Sequence, residues 1–230
     1  MAWLNHFIHE LLFGLFPYFA LTVMVLGSII RFDREQYTWR SGSSQMLRNR
    51  SFRLASNLFH FGILFLMLGH FVGLLTPPKI YHAFGLSTAD KQILAMSAGG
   101  AAGIVCFVGL TMLLHRRLYD PRIRATSSFS DILILLLIYA QLILGLFSIV
   151  VSAFHMDGTQ MVLLAEWAQR IVSFRSDAAD QLLHVNWVYK LHVFLGLIII
   201  LVFPFTRLIH IISAPIWYLG RSYQIVRTRR

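Results

Sequence analysis

The sequence contains little charge and almost no cysteine. Of its 230 residues 13% are charged, whereas soluble domains carry about a quarter. Cys106 is the only cysteine, which excludes an intrachain disulfide and an iron–sulfur cluster held by several thiolates of this chain. Since 57% of the residues are hydrophobic, the chain needs lipid around it rather than one soluble core.

Five stretches are apolar and long enough to cross a bilayer, for which a helix needs about 20 residues. They are residues 11–30, 54–75, 92–114, 132–152 and 188–213. The second ends before Pro77 and Pro78, and the fifth contains Pro204. Because no internal repeat or low-complexity linker interrupts the chain, residues 1–230 are predicted to form one all-α integral membrane domain, a bundle of five transmembrane helices.

The stretch 160–174 has apolar residues at helical spacing between the fourth and fifth membrane stretches. It predicts a short helix on the outer surface of the membrane. An ordinary amphipathic connector is the alternative interpretation.

Basic residues are distributed unevenly between the two sides of the predicted bundle. One side carries Arg31, Arg34, Arg40, Arg48, Arg50, Arg53, Arg116, Arg117, Arg122, Arg124, Arg207, Arg221, Arg227, Arg229 and Arg230. The other carries Lys79, Lys91, Arg170, Arg175 and Lys190. The asymmetry predicts an outer, periplasmic N-terminus and a cytoplasmic C-terminus. The net charge of +10 is therefore interpreted as membrane orientation, and no nucleic acid is expected as a partner.

The tail, residues 214–230, has too few apolar residues for another span. We expect it to lie on the cytoplasmic face, where its arginines would dock soluble subunits. Anchoring to anionic lipid headgroups is an alternative that is compatible with docking.

Four of the ten histidines lie inside the apolar stretches. His60 and His70 lie on the second stretch, and His192 and His210 lie on the fifth. Because an ionisable group at membrane depth is costly, it is a functional candidate by default. The other six lie near helix ends or in loops and are interpreted as solvated or interfacial, namely His6, His9, His82, His115, His155 and His184.

Two pairs of imidazoles suit two haems. An electron-transfer haem takes two axial protein ligands, and neutral imidazole is a common one. The second and fifth helices run in opposite directions, so His70 is paired with His192 near the outer side and His60 with His210 near the cytoplasmic side. The sequence thus predicts two non-covalent b haems with bis-histidine ligation.

The spacing of the ligands does not match along the two helices. Ten residues separate His60 from His70, a rise of about 15 Å in an α-helix, and eighteen separate His192 from His210, a rise of about 27 Å. Helix tilt and a kink at Pro204 are expected to absorb part of the difference. Glycines near the ligands, Gly62, Gly69, Gly73 and Gly196, suit either close approach of a flat macrocycle or ordinary helix packing.

Several segments resemble the gamma subunit, a dihaem cytochrome b, of membrane-bound respiratory nitrate reductase. They are GSSQML at 42–47, ASNLFH at 55–60, GHF at 69–71, HMDG at 155–158, LH at 191–192 and FPFTRLIH at 203–210. The resemblance spans nearly the whole chain. It implies that His60, His70, His192 and His210 ligate two b haems in the pairs given above, in a multi-pass protein of the bacterial inner membrane.

The resemblance also implies a substrate and partners. The outer haem, ligated by His70, would border a quinol site, and Lys91 would assist quinol binding. The partners would be an iron–sulfur beta subunit and a molybdenum-containing alpha subunit on the cytoplasmic face, in addition to membrane quinol and lipid. From the sequence alone, Lys91 also fits a lysine that snorkels to the interface.

Two alternatives remain at this point. A dihaem subunit of the same kind could serve another oxidoreductase, such as one that acts on sulfur compounds. A histidine-bearing metal or proton transporter is a different class, but transporters usually carry intramembrane carboxylates or repeats. Asp and Glu are confined here to loops and helix ends, which argues against a transporter.

Overall fold

The computed structural model describes residues 2–39, 42–44, 47, 51–213 and 220, and every regular element in this part of the chain is a helix. The α-helices are α1 (Ala2–Glu10), α2 (Phe16–Glu35), α3 (Phe52–Leu75), α4 (Pro78–Ala83), α5 (Thr88–Tyr119), α6 (Pro121–Ala125), α7 (Phe129–Ala153), α8 (Thr159–Val172) and α9 (Trp187–Val202). A π-helical turn, Leu11–Leu15, joins α1 to α2. Short 3₁₀ turns cover Gln36–Thr38, Ala179–Leu182, Phe203–Phe205 and Arg207–Ile211.

Five helical segments are long and apolar enough to cross a membrane, as predicted. They are Trp3–Thr38, Phe52–Leu75, Thr88–Tyr119, Phe129–Ala153 and Trp187–Phe205. The all-α class and the number of spans are therefore confirmed, while the orientation of the termini stays a prediction. The predicted cytoplasmic tail, 214–230, lies outside the described residues apart from Gly220.

The first and third spans are longer than their apolar cores predict. Span three begins at Thr88, where the Ser87 hydroxyl accepts from the Asp90 N–H and Asp90 accepts from the Ser87 N–H, a capping box. Span four begins with the same arrangement at Ser128 and Asp131. Polar caps of this kind satisfy the first N–H groups of a helix, so the helix begins before its apolar stretch does.

The prediction of a fifth helix over 188–213 is wrong at its C-terminal end. The α-helix ends at Val202 because Pro204 has no N–H to donate to the Ile200 carbonyl, and the Phe203 N–H bonds that carbonyl instead. Thr206 is extended (φ −120°, ψ 179°). His210 follows on a separate 3₁₀ turn, so a continuous rise of about 27 Å between His192 and His210 does not apply.

The long helices pack in the order α3, α5, α7, α9, α2. The closest approach is between α3 and α5, where glycines remove the side chain. A Cβ on Gly62 would lie 2.6 Å from Cys106 Cβ, and one on Gly109 would lie 2.8 Å from the Ala55 carbonyl oxygen. Gly62 therefore serves helix packing, the second of the two interpretations given to it from the sequence.

Helices α3 and α9 stand at opposite edges of a gap, since neither α9 nor α2 packs along α3. The gap is bridged at the predicted outer end by α8, which confirms the short helix predicted at 160–174. The connector is not merely laid on the surface, because Trp167, Ala168 and Ile171 are buried in a core with Phe13 of the π-helical turn.

Two side chains of α8 donate hydrogen bonds to backbone carbonyls of other elements. Each of these carbonyls lies four residues before a proline, which has no N–H to donate to it. The Phe13 carbonyl cannot receive an i+4 bond from Pro17, and the Trp167 indole N–H donates to it at 2.9 Å. The Leu74 carbonyl likewise lies four residues before Pro78 and accepts from Gln169 Nε2 at 3.0 Å. The prolines thus leave two free carbonyl acceptors, and the hydrogen bonds to them hold α8 across the gap.

At the opposite end of the bundle, the predicted cytoplasmic end, arginine side chains bind backbone carbonyls and a carboxylate. Arg31 donates to the carbonyls of Pro204 and Thr206 at 2.6 and 3.0 Å. Arg207 lies 3.3 Å from the Asp131 carboxylate. Arg31 therefore holds the broken end of span five in place.

We predict that Gly109→Ala destabilises the protein by about 1–3 kcal/mol, the usual range for an added group in a packed interior. The new methyl would contact the backbone of α3, which cannot move away as a flexible side chain would. Gly99→Ala is the matched control on the same helix, because its Cβ meets no atom within 4 Å. Thermal unfolding in detergent measures both; equal melting temperatures would contradict the tight α3–α5 contact.

Candidate functional site

The rings of His70 and His192 face each other across the gap between α3 and α9. Their centroids are 6.0 Å apart and the ring planes are inclined by 34°. A metal–imidazole nitrogen bond is about 2 Å long, so two such bonds in line, with the two ring radii, come to about 6 Å. The separation therefore suits one metal atom bound axially by both imidazoles, as the sequence predicted for this pair.

Backbone hydrogen bonds set the protonation of three of the four candidate ligands. Nδ1 of His70 lies 2.7 Å from the Leu66 carbonyl, Nδ1 of His60 lies 2.7 Å from that of Ser56, and Nδ1 of His210 lies 2.5 Å from that of Arg207. Because a carbonyl can only accept, Nδ1 carries the hydrogen and Nε2 keeps its lone pair. This is the tautomer that a metal-binding histidine requires.

The same bond does not by itself mark a ligand. Nδ1 of His82 lies 3.0 Å from the Leu86 carbonyl and that of His155 lies 3.1 Å from the Val151 carbonyl. Neither of these rings faces another histidine among the described residues. The pairing of His70 with His192 is what distinguishes the site.

The face of α3 that carries the ligands is open. His60 and His70 are exposed, and a Cβ on Gly69 or Gly73 would meet no atom within 4 Å. Only 6% of the apolar stretch of α3 is buried inside the protein, against 17–28% of the corresponding stretch in each of the other four spans. A flat macrocycle would have room on this side, so the residues present would fit a haem held by His70 and His192.

The structure does not bring the second pair together in the same way. His60 is exposed and His210 is half-buried, and the described residues give no ring contact between the two. Nor do three or more His, Cys, Asp or Glu side chains gather into a metal site in the described part. Each of the two histidines has the tautomer of a ligand, but their pairing stays a prediction.

Lys91 lies at the same end of α3 as His70. Its ammonium donates to the Gly73 carbonyl at 2.9 Å, less than one turn beyond His70, and lies 4.3 Å from the centre of the Tyr81 ring. The Gly73 carbonyl is available because the residue four positions later is Pro77, which has no N–H. Lys91 is half-buried and its ammonium is bonded within the protein, which disfavours simple snorkelling.

The loop after α7, which contains the motif HMDG at 155–158, lies at the same end of the bundle, next to the start of α5. Gly158 has φ +78°, a backbone conformation that glycine adopts at little cost. The Thr159 hydroxyl donates to Asp157 at 2.6 Å and holds the pKa of that carboxyl below its ordinary value. Asp157 is therefore ionised at neutral pH and orders the start of α8.

Two residues of α7 at the site were missed by sequence reasoning. Gln141 Nε2 lies 3.3 Å from His192 Nε2 and donates to the His192 carbonyl at 3.1 Å. A Cβ on Gly145 would lie 3.1 Å from His192 Cε1. The sequence offers one signal, a polar Gln in the middle of an apolar helix with Gly one turn later. It does not show that these two residues contact His192.

The fold and site define a multi-pass, all-helical membrane protein with histidines paired between two of its spans. Compared with known proteins, residues 9–229 match the nitrate reductase gamma subunit family. The chain is 50% identical to the respiratory nitrate reductase 1 gamma chain of Escherichia coli over 97% of this chain and 99% of that one. It is 47% identical to the respiratory nitrate reductase 2 gamma chain of the same organism over the full length of both.

A third relative is more distant. The nitrate reductase gamma chain of Bacillus subtilis is 37% identical over 96% of this chain and 98% of its own length. The chain therefore belongs to the nitrate reductase gamma subunit family. The family resemblance predicted from the sequence is confirmed, and membership implies a membrane anchor that transfers electrons in an oxidoreductase complex. Among the alternatives weighed from the sequence, it favours nitrate reductase over other oxidoreductases and over a transporter.

Proposed function

We propose that the chain is the quinol-oxidising, dihaem cytochrome b subunit of a respiratory nitrate reductase. It would oxidise quinol at the outer side of the bacterial inner membrane and pass the electrons inward to iron–sulfur and molybdenum-containing subunits, where nitrate is reduced. The observation that carries the proposal is the 6.0 Å separation of the His70 and His192 rings between two helices that otherwise leave a gap.

Haem bound at the two histidine pairs would supply one-electron transfer across the membrane. His70 and His192 would hold the outer group, and His60 and His210 the inner one. The carbonyls of Leu66, Ser56 and Arg207 keep Nε2 of three of these histidines in its ligand form. The break after Val202 lets His210 take up a position that a continuous helix would not allow.

Lys91 would orient the quinol. Its ammonium has three hydrogens, of which one is donated to the Gly73 carbonyl, so others are available for a quinol oxygen. Quinol oxidation releases two electrons and two protons. A quinol oxygen bound near Lys91 would lie next to the turn that carries His70, so the electrons would have a short path while the protons leave at the outer side.

The cytoplasmic loops would dock the soluble subunits. Arg122 and Arg124 are exposed on α6, which joins spans three and four. The basic residues of the tail, 214–230, predict the same role for it. Basic loops of this kind suit acidic surfaces of partner proteins as well as anionic lipid.

We predict that His70→Ala removes one b-type haem of two and abolishes quinol oxidation, because an axial ligand is lost at the outer pair. His82→Ala is the matched control, since His82 makes the same Nδ1 bond without facing a second histidine. The reduced-minus-oxidised spectrum of the purified complex measures the haem content. Two intact haems in His70→Ala would show that the ligand is misassigned, and no b-type spectrum in the parent would refute the proposed function.

We predict that Lys91→Ala raises the KM for quinol about ten- to a hundredfold, since a hydrogen bond from a charged group contributes about 1.5–3 kcal/mol. Both haems should stay, because Lys91 is not a ligand. Lys190→Ala is the control, as Lys190 also donates to a backbone carbonyl, that of Leu183 at 2.9 Å. Unchanged quinol kinetics in Lys91→Ala would contradict a role in quinol binding and would support the alternative, a lysine that snorkels to the interface.

A further inference from the structure

The ammonium of Lys91 contacts two groups of the protein. It donates to the Gly73 carbonyl at 2.9 Å and lies over the Tyr81 ring, 4.3 Å from the ring centre. A cation within about 6 Å of a ring centre is attracted by the negative potential of the ring face. Both contacts therefore restrain a group that sits at the end of a flexible four-carbon side chain.

The position of Tyr81 is set by the turn that follows α4. Tyr81 is only 6% exposed, and its carbonyl accepts from the N–H groups of Phe84 and Leu86 at 3.2 and 3.1 Å. Gly85, between these two residues, has φ +77°, a conformation that glycine adopts at little cost. The turn thus ties Tyr81 to the segment that leads into α5, the helix that carries Lys91.

The two contacts limit the directions in which Lys91 can bind a ligand. An ammonium has three N–H groups, of which one is donated to the Gly73 carbonyl, and the Tyr81 ring covers another side of the nitrogen. The remaining side is left for a ligand. A Cβ on Gly73, or on Gly69 one turn earlier, would meet no atom within 4 Å, so the neighbouring surface of α3 has room for one.

We propose that Tyr81 is the positioning residue for Lys91, and that its ring face holds the ammonium with one N–H directed at a quinol oxygen. The proposal rests on the proposed role of Lys91 in quinol binding. Because Tyr81 is almost fully buried, it acts through the ammonium and does not bind quinol itself. A donor that is oriented before its ligand arrives lowers the cost of binding.

The test is the kinetics of quinol oxidation by the purified complex, together with its reduced-minus-oxidised haem spectrum. Tyr81→Leu should raise the KM for quinol about three- to thirtyfold, the range that corresponds to the loss of one cation–π contact. Tyr81→Phe should keep the KM close to that of the parent, since the ring face is retained. The kcat and both haem signals should stay unchanged, because Lys91 binds the quinol in the ground state and the transition state alike.

The double variant Tyr81→Leu, Lys91→Ala separates a positioning role from a structural one. If Tyr81 acts through the ammonium, Tyr81→Leu raises the KM no further once Lys91 is alanine. A structural role predicts instead that Tyr81→Leu raises the KM by the same factor with and without the lysine. That second outcome would overturn the proposal.

Fluorinated phenylalanines placed at position 81 test the ring face with little change of shape. Fluorine withdraws electron density from the face and so weakens its attraction for a cation. The KM for quinol should therefore rise stepwise from Tyr81→Phe through singly to triply fluorinated rings. This series decides if Tyr81→Leu does not accumulate, and a KM that stays constant along it would contradict the proposal.

Phe52→Leu is the matched control. The Arg116 guanidinium lies 4.8 Å from the centre of the Phe52 ring at the opposite end of α3, so this variant removes a cation–π contact far from Lys91. Its KM for quinol should equal that of the parent. An equal rise in Phe52→Leu and Tyr81→Leu would attribute the effect to general destabilisation and would overturn the proposal.

Failure of the proposed function has a different signature. An unchanged KM in Lys91→Ala would overturn the proposed role of Lys91, and absence of b-type haem from the parent would overturn the dihaem function itself. A raised KM in Lys91→Ala with an unchanged KM in Tyr81→Leu would overturn only the positioning role of Tyr81.

Discussion

The His70 and His192 rings must be held opposite each other by two helices that do not pack along each other. Direct helix packing fixes side chains through many neighbouring contacts, and α3 and α9 lack that support. The 6.0 Å ring separation is instead held indirectly, around the bundle through α5 and α7 and across the gap by α8. The glycine contacts between α3 and α5 and the buried core under α8 therefore serve the histidine pair as much as they serve stability.

Prolines determine where that indirect support is attached. Each of Pro17, Pro77 and Pro78 leaves a carbonyl four residues earlier without its helical donor. A side chain from another element donates to each of them, from Trp167, Lys91 and Gln169 respectively. The helix ends are thus joined by directional bonds at the points where packing is sparse, and all three lie near the end of the bundle that carries His70.

The sequence was sufficient for the spans and the candidate ligands, because both depend on local composition. Apolar length predicted five membrane helices, and rarity of ionisable groups in lipid singled out His60, His70, His192 and His210. The end of the fifth helix was mispredicted because apolar residues continue beyond Pro204, and only the backbone shows that Thr206 is extended. Gln141 and Gly145 could not be predicted as site residues, because their roles come from a contact between α7 and α9 and a local sequence pattern does not show which helices pack together.

The C-terminal end of α3 has an electrostatic consequence for Lys91. A helix carries roughly half a negative charge at its C-terminus, and the Gly73 carbonyl that accepts from Lys91 belongs to that end. The helix dipole and the Tyr81 ring face together act as the counter-ion of a lysine within a membrane span. A carboxylate in that place would compete for the ammonium hydrogens and would itself bind protons, whereas backbone dipoles stabilise the cation and cannot titrate.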